Sequence, residues 1–535
     1  MTGWVIRKFA GTAPRIEPKL LPDNLAQSAN NCVLTSGILR PLKANTTIST
    51  LPKSGTIQSI YRFGQESSVD TSYWFHWASD VDVARGPIFG DTQERTYFTG
   101  AALSAPQVTD NSIALTGGTQ YPMNSYDLGV PTPTAAPGVT VGGTGVGLAE
   151  SRVYVVTFVS SWGEEGSSSS ASVQVNVLTG QTVDLTLPAV PSGAYHFSSK
   201  RIYRSVAGTT GATYLFVEEV ASTAMTYTDY KLAASLGEVL PSLGHFPPPA
   251  GMQGLTSMPN GIMAGFLGRD VYFSEPYKPH AWPLAYSMTV DSPIVGLGVF
   301  GTTLLVLTRA DPFVISGSDP SNFTMVRAEG AQACMAKRSI VGMDGGVIYA
   351  APDGLFMAGS SGFRNLAENL FTRVEWQLLA PATLQGFSLG TRYIGFGVSS
   401  GFIFDLQTGD YMPLDWAATA GFYEAKFNTL YLVTGTNQLV RFDAGTNLSM
   451  TWKSKPFYVA RATNLTSARV EAKAYPVTAR IYADGALVHT QTVASDDVFR
   501  LPGGFRANTW NMEVVSTVEV TSMGMAESVM ELSDG

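Results

Sequence analysis

From about residue 255 the sequence repeats one short pattern, and that recurrence restricts the possible folds more than any other feature. β-rich peaks stand at Asp270-Val-Tyr-Phe273, Thr303-Leu-Leu-Val-Leu307, Val347-Ile-Tyr-Ala350, Arg392-Tyr-Ile-Gly-Phe396 and Thr429-Leu-Tyr-Leu-Val433. Measured at Val271, Leu305, Ile348, Ile394 and Tyr431, the spacings are 34, 43, 46 and 37. Most peaks are followed by a second strand pattern: Pro312-Phe-Val-Ile315, Gly354-Leu-Phe356, Phe402-Ile-Phe404 and Leu439-Val-Arg-Phe442. Turn pairs such as Asp344-Gly345 and Asp353-Gly354 sit between or near them. A four-stranded unit recurring every ~40–45 residues is the pattern of a propeller blade, which needs neighbours to cover its faces. Trp-Asp and kelch signatures are missing, so the reading rests on spacing alone.

The rest of the chain also reads as β. Residues 1–54 form an extended arm rich in turn-formers, with Asp23–Leu34 predicted as a short helix capped by Asp23 or Asn24, with Ala26 and Ala29 inside. Such an arm has to lie on the rest of the fold or on a neighbouring subunit. Residues 55–130 give the first part of a β platform or propeller, with strands at Ile57–Phe63 and Tyr73–Ala78. The seam Pro131-Thr-Pro133-Thr-Ala-Ala-Pro137-Gly, continuing through Val141–Gly147, reads as a linker. Residues 148–240 then alternate like a fibronectin-type-III or immunoglobulin-like sandwich. Residues 255–450 hold the blades, and residues 451–535 a C-terminal β-sandwich segment. In that segment Asp484-Gly485 turns a hairpin between Ala479–Ala483 and Ala486–Val493, and Val514–Val520 is a further strand. One other helix is predicted, Asn365–Leu379, from Leu366, Leu370, Val374 and Leu378 at intervals of four. The fold class expected is mostly β: a propeller-like core, an inserted sandwich and a C-terminal β segment.

Composition narrows the function. Only 14% of residues are charged, against about 25% in typical domains, which fits a chain that covers much of its surface with neighbours. The net charge is −8 and no Lys/Arg-rich run occurs. A dedicated nucleic-acid binder should show a basic stripe, whereas an acidic wall suits a conduit through which DNA slides without sticking. Cys32 and Cys334 lie far apart in apolar or small-residue surroundings and read as free, inert thiols. Residues 1–10 lack the apolar core of a signal peptide, and no run of 18 apolar residues occurs. Folding in a cytoplasm is therefore expected, with no membrane segment.

No catalytic constellation stands out. Gly386-Phe-Ser388-Leu-Gly390 matches a nucleophile elbow, but a strand pattern follows where the elbow needs a helix. Gly142–Gly147 lacks the Gly-Lys-Ser/Thr of a phosphate loop. His76, His196, His245, His280 and His489 are scattered, none at metal-ligand spacing from another His or Cys. Asp80-Val-Asp82 lacks the glycine and distal glutamate of a calcium loop. Asn45, Asn322, Asn447 and Asn464 sit in glycosylation sequons that carry no meaning in a cytoplasm. Glu275, Asp353 and Asp405 are the carboxylates a propeller glycosidase would have to pair. No catalytic, cofactor-binding or metal residue is assigned, no cofactor is expected, and the chain reads as not an enzyme.

The arm carries a resemblance. Phe9-Ala-Gly11-Thr-Ala-Pro14-Arg-Ile16-Glu-Pro18-Lys-Leu-Leu21-Pro22-Asp-Asn24 leads to Ala26-Gln27-Ser-Ala29-Asn-Asn31-Cys and then Ser36-Gly37-Ile-Leu39-Arg40-Pro41. This resembles the opening of podovirus tail nozzle proteins, also called tail tubular protein B. Two later segments resemble virion proteins of the same type: Tyr272-Phe-Ser274-Glu275-Pro276-Tyr-Lys-Pro279-His280-Ala-Trp282-Pro283, and Thr451-Trp452-Lys-Ser454-Lys455-Pro-Phe457. The Ser151–Asp229 module departs from the simplest family pattern, as an insertion does. The resemblance implies a structural virion protein of a short-tailed bacteriophage, assembled in the host cytoplasm. It implies a homo-oligomer, a hexameric ring below the tail adaptor, with fibres or tailspikes docked outside and genomic DNA passing through the lumen without specific binding. The alternative is a receptor- or carbohydrate-binding tail propeller, possessing or lacking depolymerase activity, in which Tyr and Trp side chains stack on sugars.

Overall fold

The computed structural model describes residues 3–64, 69–208 and 211–533. Residues 1–2 of the predicted arm and 534–535 of the predicted C-terminal segment lie outside the described residues. The chain divides into two compact units, Met1–Ala78 with Leu305–Val314 and Arg327–Gly535, and Ser79–Leu304 with Ile315–Val326. Both are mostly β, with only short helices.

In the first unit the repeat appears as consecutive four-stranded antiparallel sheets. One runs Val341–Met343, Gly346–Ala351, Gly354–Gly359, Gly362–Asn365 in spatial order. The next runs Gln385–Leu389, Arg392–Phe396, Gly401–Asp405, Tyr411–Leu414. The third takes Ala420–Glu424, Thr429–Thr434 and Gln438–Arg441, and its fourth strand is Thr46–Thr50 from the arm. The markers Ile348, Ile394 and Tyr431 all lie on the second strand of their sheets. Ile348, Leu355 and Met357 of the first sheet pack on Tyr393, Phe402 and Tyr411 of the second. Each of these side chains buried fully contributes about 1.5–3 kcal/mol. This mutual covering is why the pattern has to repeat: no such sheet buries both faces alone.

The predicted helix Asn365–Leu379 is only Arg373–Leu378. Thr372 caps it: its hydroxyl accepts the Glu375 N–H, and Glu375 accepts the Thr372 N–H in return, a reciprocal box that sets the start. The spacing of four misled, because Val374 and Leu378 face solvent. The buried residue is Trp376, whose indole N–H donates to the Ala351 carbonyl at 2.8 Å.

The arm corrects a second expectation. Asp23–Leu34 is not a helix; Leu25–Asn30 and Cys32–Val33 are strands. Leu25–Asn30 pairs parallel with Ala10–Thr12 and antiparallel with Met450–Ser454. Its register against Met450–Ser454 slips between Ala26 and Ser28. That bulge places the two buried alanines, Ala26 and Ala29, three residues apart, a spacing that imitates one face of a helix. The arm thereby packs on its own chain. Trp4 stacks on Phe457 at 4.3 Å, Phe9 meets Trp452 edge-to-face at 5.0 Å, and Trp4–Ile6 pairs with Val520–Ala526.

The C-terminal segment is two sheets. One contains Met450–Ser454, Ala507–Ser516, Val477–Ala483 and Ala486–Val493 with the arm strands; the other contains Trp4–Ile6, Val520–Ala526, Ser467–Ala472 and Phe499–Arg500. The hairpin at Asp484-Gly485 forms as predicted. The predicted strand Val514–Val520 is instead the end of one strand and the start of another. At Ser516 the hydroxyl donates to the Val518 carbonyl and accepts the Val518 N–H, and the chain crosses from one sheet to the other.

In the second unit, Val81–Arg85, Thr96–Gly100, Gln107–Thr109 and Tyr126–Asp127 form an antiparallel sheet, and Gln253–Ser257, Met263–Leu267, Asp270–Phe273 and Met288–Thr289 form another. A sandwich accompanies them. One sheet is Gly138–Gly142, Thr182–Thr186, Thr226–Asp229; the other is Tyr154–Ser160, Phe197–Gly208, Gly211–Ala221. Tyr154, Val156, Val183, Leu185, Ile202 and Val217 make its core. The linker reading of Val141–Gly147 is corrected: Val139 and Val141 pack on that core, and Gly143 (φ +78°) turns the chain into the strand Val146–Arg152. Beneath the core, Asp229 accepts hydrogen bonds from Tyr154 Oη at 2.7 Å and Arg204 Nη1 at 2.8 Å, all three fully buried. A buried guanidinium needs such a partner.

Candidate functional site

In the first unit, turns from adjacent sheets and a stretch of the arm enclose a cleft of about 710 Å³. One wall is the hairpin turn between Gln385–Leu389 and Arg392–Phe396. Gly390 sits there at φ +59°, a left-handed conformation that costs glycine least. The second wall is the turn before Thr429–Thr434, where Asn428 (φ +47°) takes the left-handed region that asparagine tolerates. The third is Arg441–Ala444, with Asp443 also left-handed at φ +54°. Val33, Thr35 and Arg40 of the arm complete it.

The cleft gathers three arginines. Arg441 is spent: its Nε and Nη2 both reach Asp70 Oδ2, which also accepts from Tyr431 Oη at 3.2 Å. That hydrogen bond holds the Arg441 guanidinium above its ordinary value. Burial, with Asp70 beside it, pushes the Tyr431 phenol up to about 12. Arg392 differs. Its nearest carboxylate, Asp443 Oδ2, is 3.8 Å away, too far for a hydrogen bond. Arg40 Nε lies 3.4 Å from Glu519 Oε1, and its side chain is 46% exposed. Asp443 accepts the Lys43 N–H at 2.8 Å, yet burial outweighs that bond and Arg392, and its carboxyl is raised. Hydroxyls in the lining are engaged by carboxylates: Thr35 and Thr391 donate to Asp405, and Tyr431 donates to Asp70. The arrangement can hold an anion.

The residues weighed in the sequence go elsewhere. Ser388 lies within the strand Gln385–Leu389, and the next element is a strand, so no elbow forms. Asp405 is buried at the end of its strand, accepting from Thr35 Oγ1, Thr391 Oγ1 and the Gln407 N–H, which makes it a turn-holder beside the cleft. Asp353 accepts from Gln332 Nε2 at 2.7 Å, and Glu275 belongs to the other unit. Cys32 and Cys334 are buried; burial raises both thiols, Cys334 to about 12. His76 is buried against the Trp74 carbonyl and lowered to about 4 by that burial.

Sequence reasoning missed one cluster, in the second unit. His245 and His280, read as isolated, lie with rings 5.7 Å apart. His280 Nδ1 is 3.7 Å from Glu164, whose carboxylate accepts from Arg95 Nη1 at 3.0 Å, while Arg95 Nε donates to Asp91 at 2.8 Å. Burial dominates over Arg95 and pushes Glu164 up to about 7, and it lowers His280 to about 3. The only sequence signal was the paired Glu164-Glu165 in a turn of a low-charge chain. Among the described residues, no three His, Cys, Asp or Glu side chains are grouped as metal ligands. No helix among them is long and apolar enough to cross a membrane.

No protein-family model matches the chain, and no curated protein matches it. Solved structures similar to it include the extracellular domain of a hybrid two-component system protein from Bacteroides thetaiotaomicron, at 9% identity and TM-score 0.30, covering 88% of this chain and 50% of that one. PorZ, a surface component of the type-IX secretion system of Porphyromonas gingivalis, aligns at 9% identity and TM-score 0.26 over 89% of this chain and 82% of that one. A gluconolactonase of Xanthomonas campestris aligns at 9% identity and TM-score 0.22 over 76% of this chain and 99% of that one. None of these likenesses assigns an activity.

Proposed function

We propose that the chain is a structural virion protein, a subunit of the tail nozzle ring of a short-tailed bacteriophage. It forms a homo-oligomeric conduit, a hexamer, below the adaptor, and a platform on which other tail proteins dock. One observation carries the reading. Two of the segments that resemble nozzle proteins, Phe9–Asn31 and Thr451–Phe457, come together as neighbouring strands of one sheet. The motif residues Phe9 and Trp452 touch, Trp452 Nε1 donates to the Ala10 carbonyl at 3.0 Å, and Lys455 Nζ donates to the Leu21 carbonyl at 2.9 Å. The resemblance therefore concerns residues that build a shared scaffold, as a structural protein requires. The low charge, 14% of residues, agrees with it.

The test is the mass and shape of the purified protein, alone and with the tail adaptor, by light scattering and negative-stain microscopy. A hollow six-fold ring on the adaptor supports the nozzle reading. A monomer or trimer that ignores the adaptor refutes it and favours a receptor-binding propeller.

A further inference from the structure

We infer that the cleft between Gly390, Asn428 and Asp443 is a binding site for an acidic saccharide, a uronate-bearing sugar whose carboxylate is taken by Arg392 and Arg40. The inference does not rest on the nozzle reading.

Size comes first. A cleft of about 710 Å³ suits a small molecule of one to three sugar rings; small-molecule sites span about 300–1,000 Å³. Unspent hydrogen-bonding capacity comes next. A guanidinium carries five N–H donors in a planar fork that matches a carboxylate. Arg392 makes no side-chain hydrogen bond among the described residues and is 19% exposed, so its fork is open to a ligand in the cleft. Arg40 has a single ion pair at its Nε. Both forks line the same cleft.

The remaining lining selects the class of anion. Asp443 faces the cleft with one oxygen engaged by the Lys43 amide, leaving its other oxygen to accept a hydroxyl. Asn428 accepts from Tyr423 Oη through Oδ1, which leaves its amide N–H groups as donors. Asp70 and Asp443 together repel a run of phosphates, whereas they accept from sugar hydroxyls. Phe427, 41% exposed, adds an apolar patch beside these groups. One anionic group with several hydroxyls around it fits this set; a nucleic-acid backbone does not.

The experiment is isothermal titration calorimetry of the full chain with galacturonic acid, which carries one carboxylate, its methyl ester and inorganic phosphate. Expected is saturable binding of the acid, with at least tenfold weaker binding of the ester. Arg392→Gln and Arg40→Gln should each weaken the acid at least tenfold while leaving the melting temperature in place. Should R392Q fail to fold, the more exposed R40Q still decides. No saturation with the acid, equal binding of acid and ester, or wild-type affinity in R40Q overturns the inference. Phosphate binding as tightly as the acid, and lost in R40Q, also overturns it and reassigns the cleft to phosphate.

Discussion

Trp452 holds the arm to the C-terminal sheet, and replacing it measures how firmly. The indole is fully buried, donates to the Ala10 carbonyl and meets the Phe9 ring edge-to-face at 5.0 Å. Trp452→Leu removes part of the packed ring and one hydrogen bond to the Ala10 carbonyl. Truncation of a buried Trp to Ala costs about 3–5 kcal/mol, so Trp452→Leu should cost less than that, with about 0.5–1.5 kcal/mol of the loss from the hydrogen bond. Phe9→Leu forfeits the ring pair from the other side. An aromatic pair is worth about 0.5–1.5 kcal/mol beyond its area, so the double mutant should be less destabilised than the sum of the singles by about that amount. Urea unfolding of the four proteins, followed by tryptophan fluorescence and far-UV circular dichroism, supplies the cycle. Hydrogen exchange at Ala10–Thr12 supplies an independent reading, because those amides lose protection when the arm detaches. Additivity within about 0.3 kcal/mol, with protection unchanged, refutes the packing of the arm on Trp452.

Three further outcomes follow, two from buried groups and one from an exposed helix cap. Glu164 is raised in the folded state, so folding takes up a proton, and its contribution to stability falls as pH rises from 4.5 to about 7. Glu164→Gln should flatten that fall by about 1–3 kcal/mol in urea melts between pH 5 and 8; an unchanged slope would sink the assignment. Asp229→Ala leaves Arg204 buried without its carboxylate and should destabilise the sandwich by about 3–5 kcal/mol, whereas Asp229→Asn, which keeps an acceptor, should cost less in the same thermal melts. Thr372→Ala removes the helix cap and should cost about 0.5–2 kcal/mol, read as an earlier midpoint in urea.

The blades were legible because, apart from the strand Thr46–Thr50, each one is local. Its strands follow one another, and its buried residues, such as Ile348 and Ile394, recur at a spacing set by a single architecture. Errors arose where distant residues decide the outcome. Ala26 and Ala29 imitate a helix face only because a bulge against Ser454, more than 400 residues away, inserts a residue. Val139 and Val141 look like linker until Leu185 covers them. The cleft was invisible for the same reason: Arg40, Arg392 and Asp443 share no local pattern and meet through the turns of two neighbouring sheets. His245 and His280 likewise become neighbours only in the fold.

The strand Thr46–Thr50 has a consequence for how the molecule is made. Its partner Gln438–Arg441 is 388 residues further along at the Thr50–Gln438 contact. At translation rates of about 5–20 residues per second, the ribosome needs roughly 20–80 seconds to deliver that partner after the arm has emerged. During this interval Thr46–Thr50 and Trp4–Ile6 are strand edges with nothing to pair with, and Leu25–Asn30 has only Ala10–Thr12, so all three are open to the same edge of any neighbouring nascent chain on a crowded polysome. Closure of the last blade is thus a late event, and the yield of native protein should depend on what shields the arm until then.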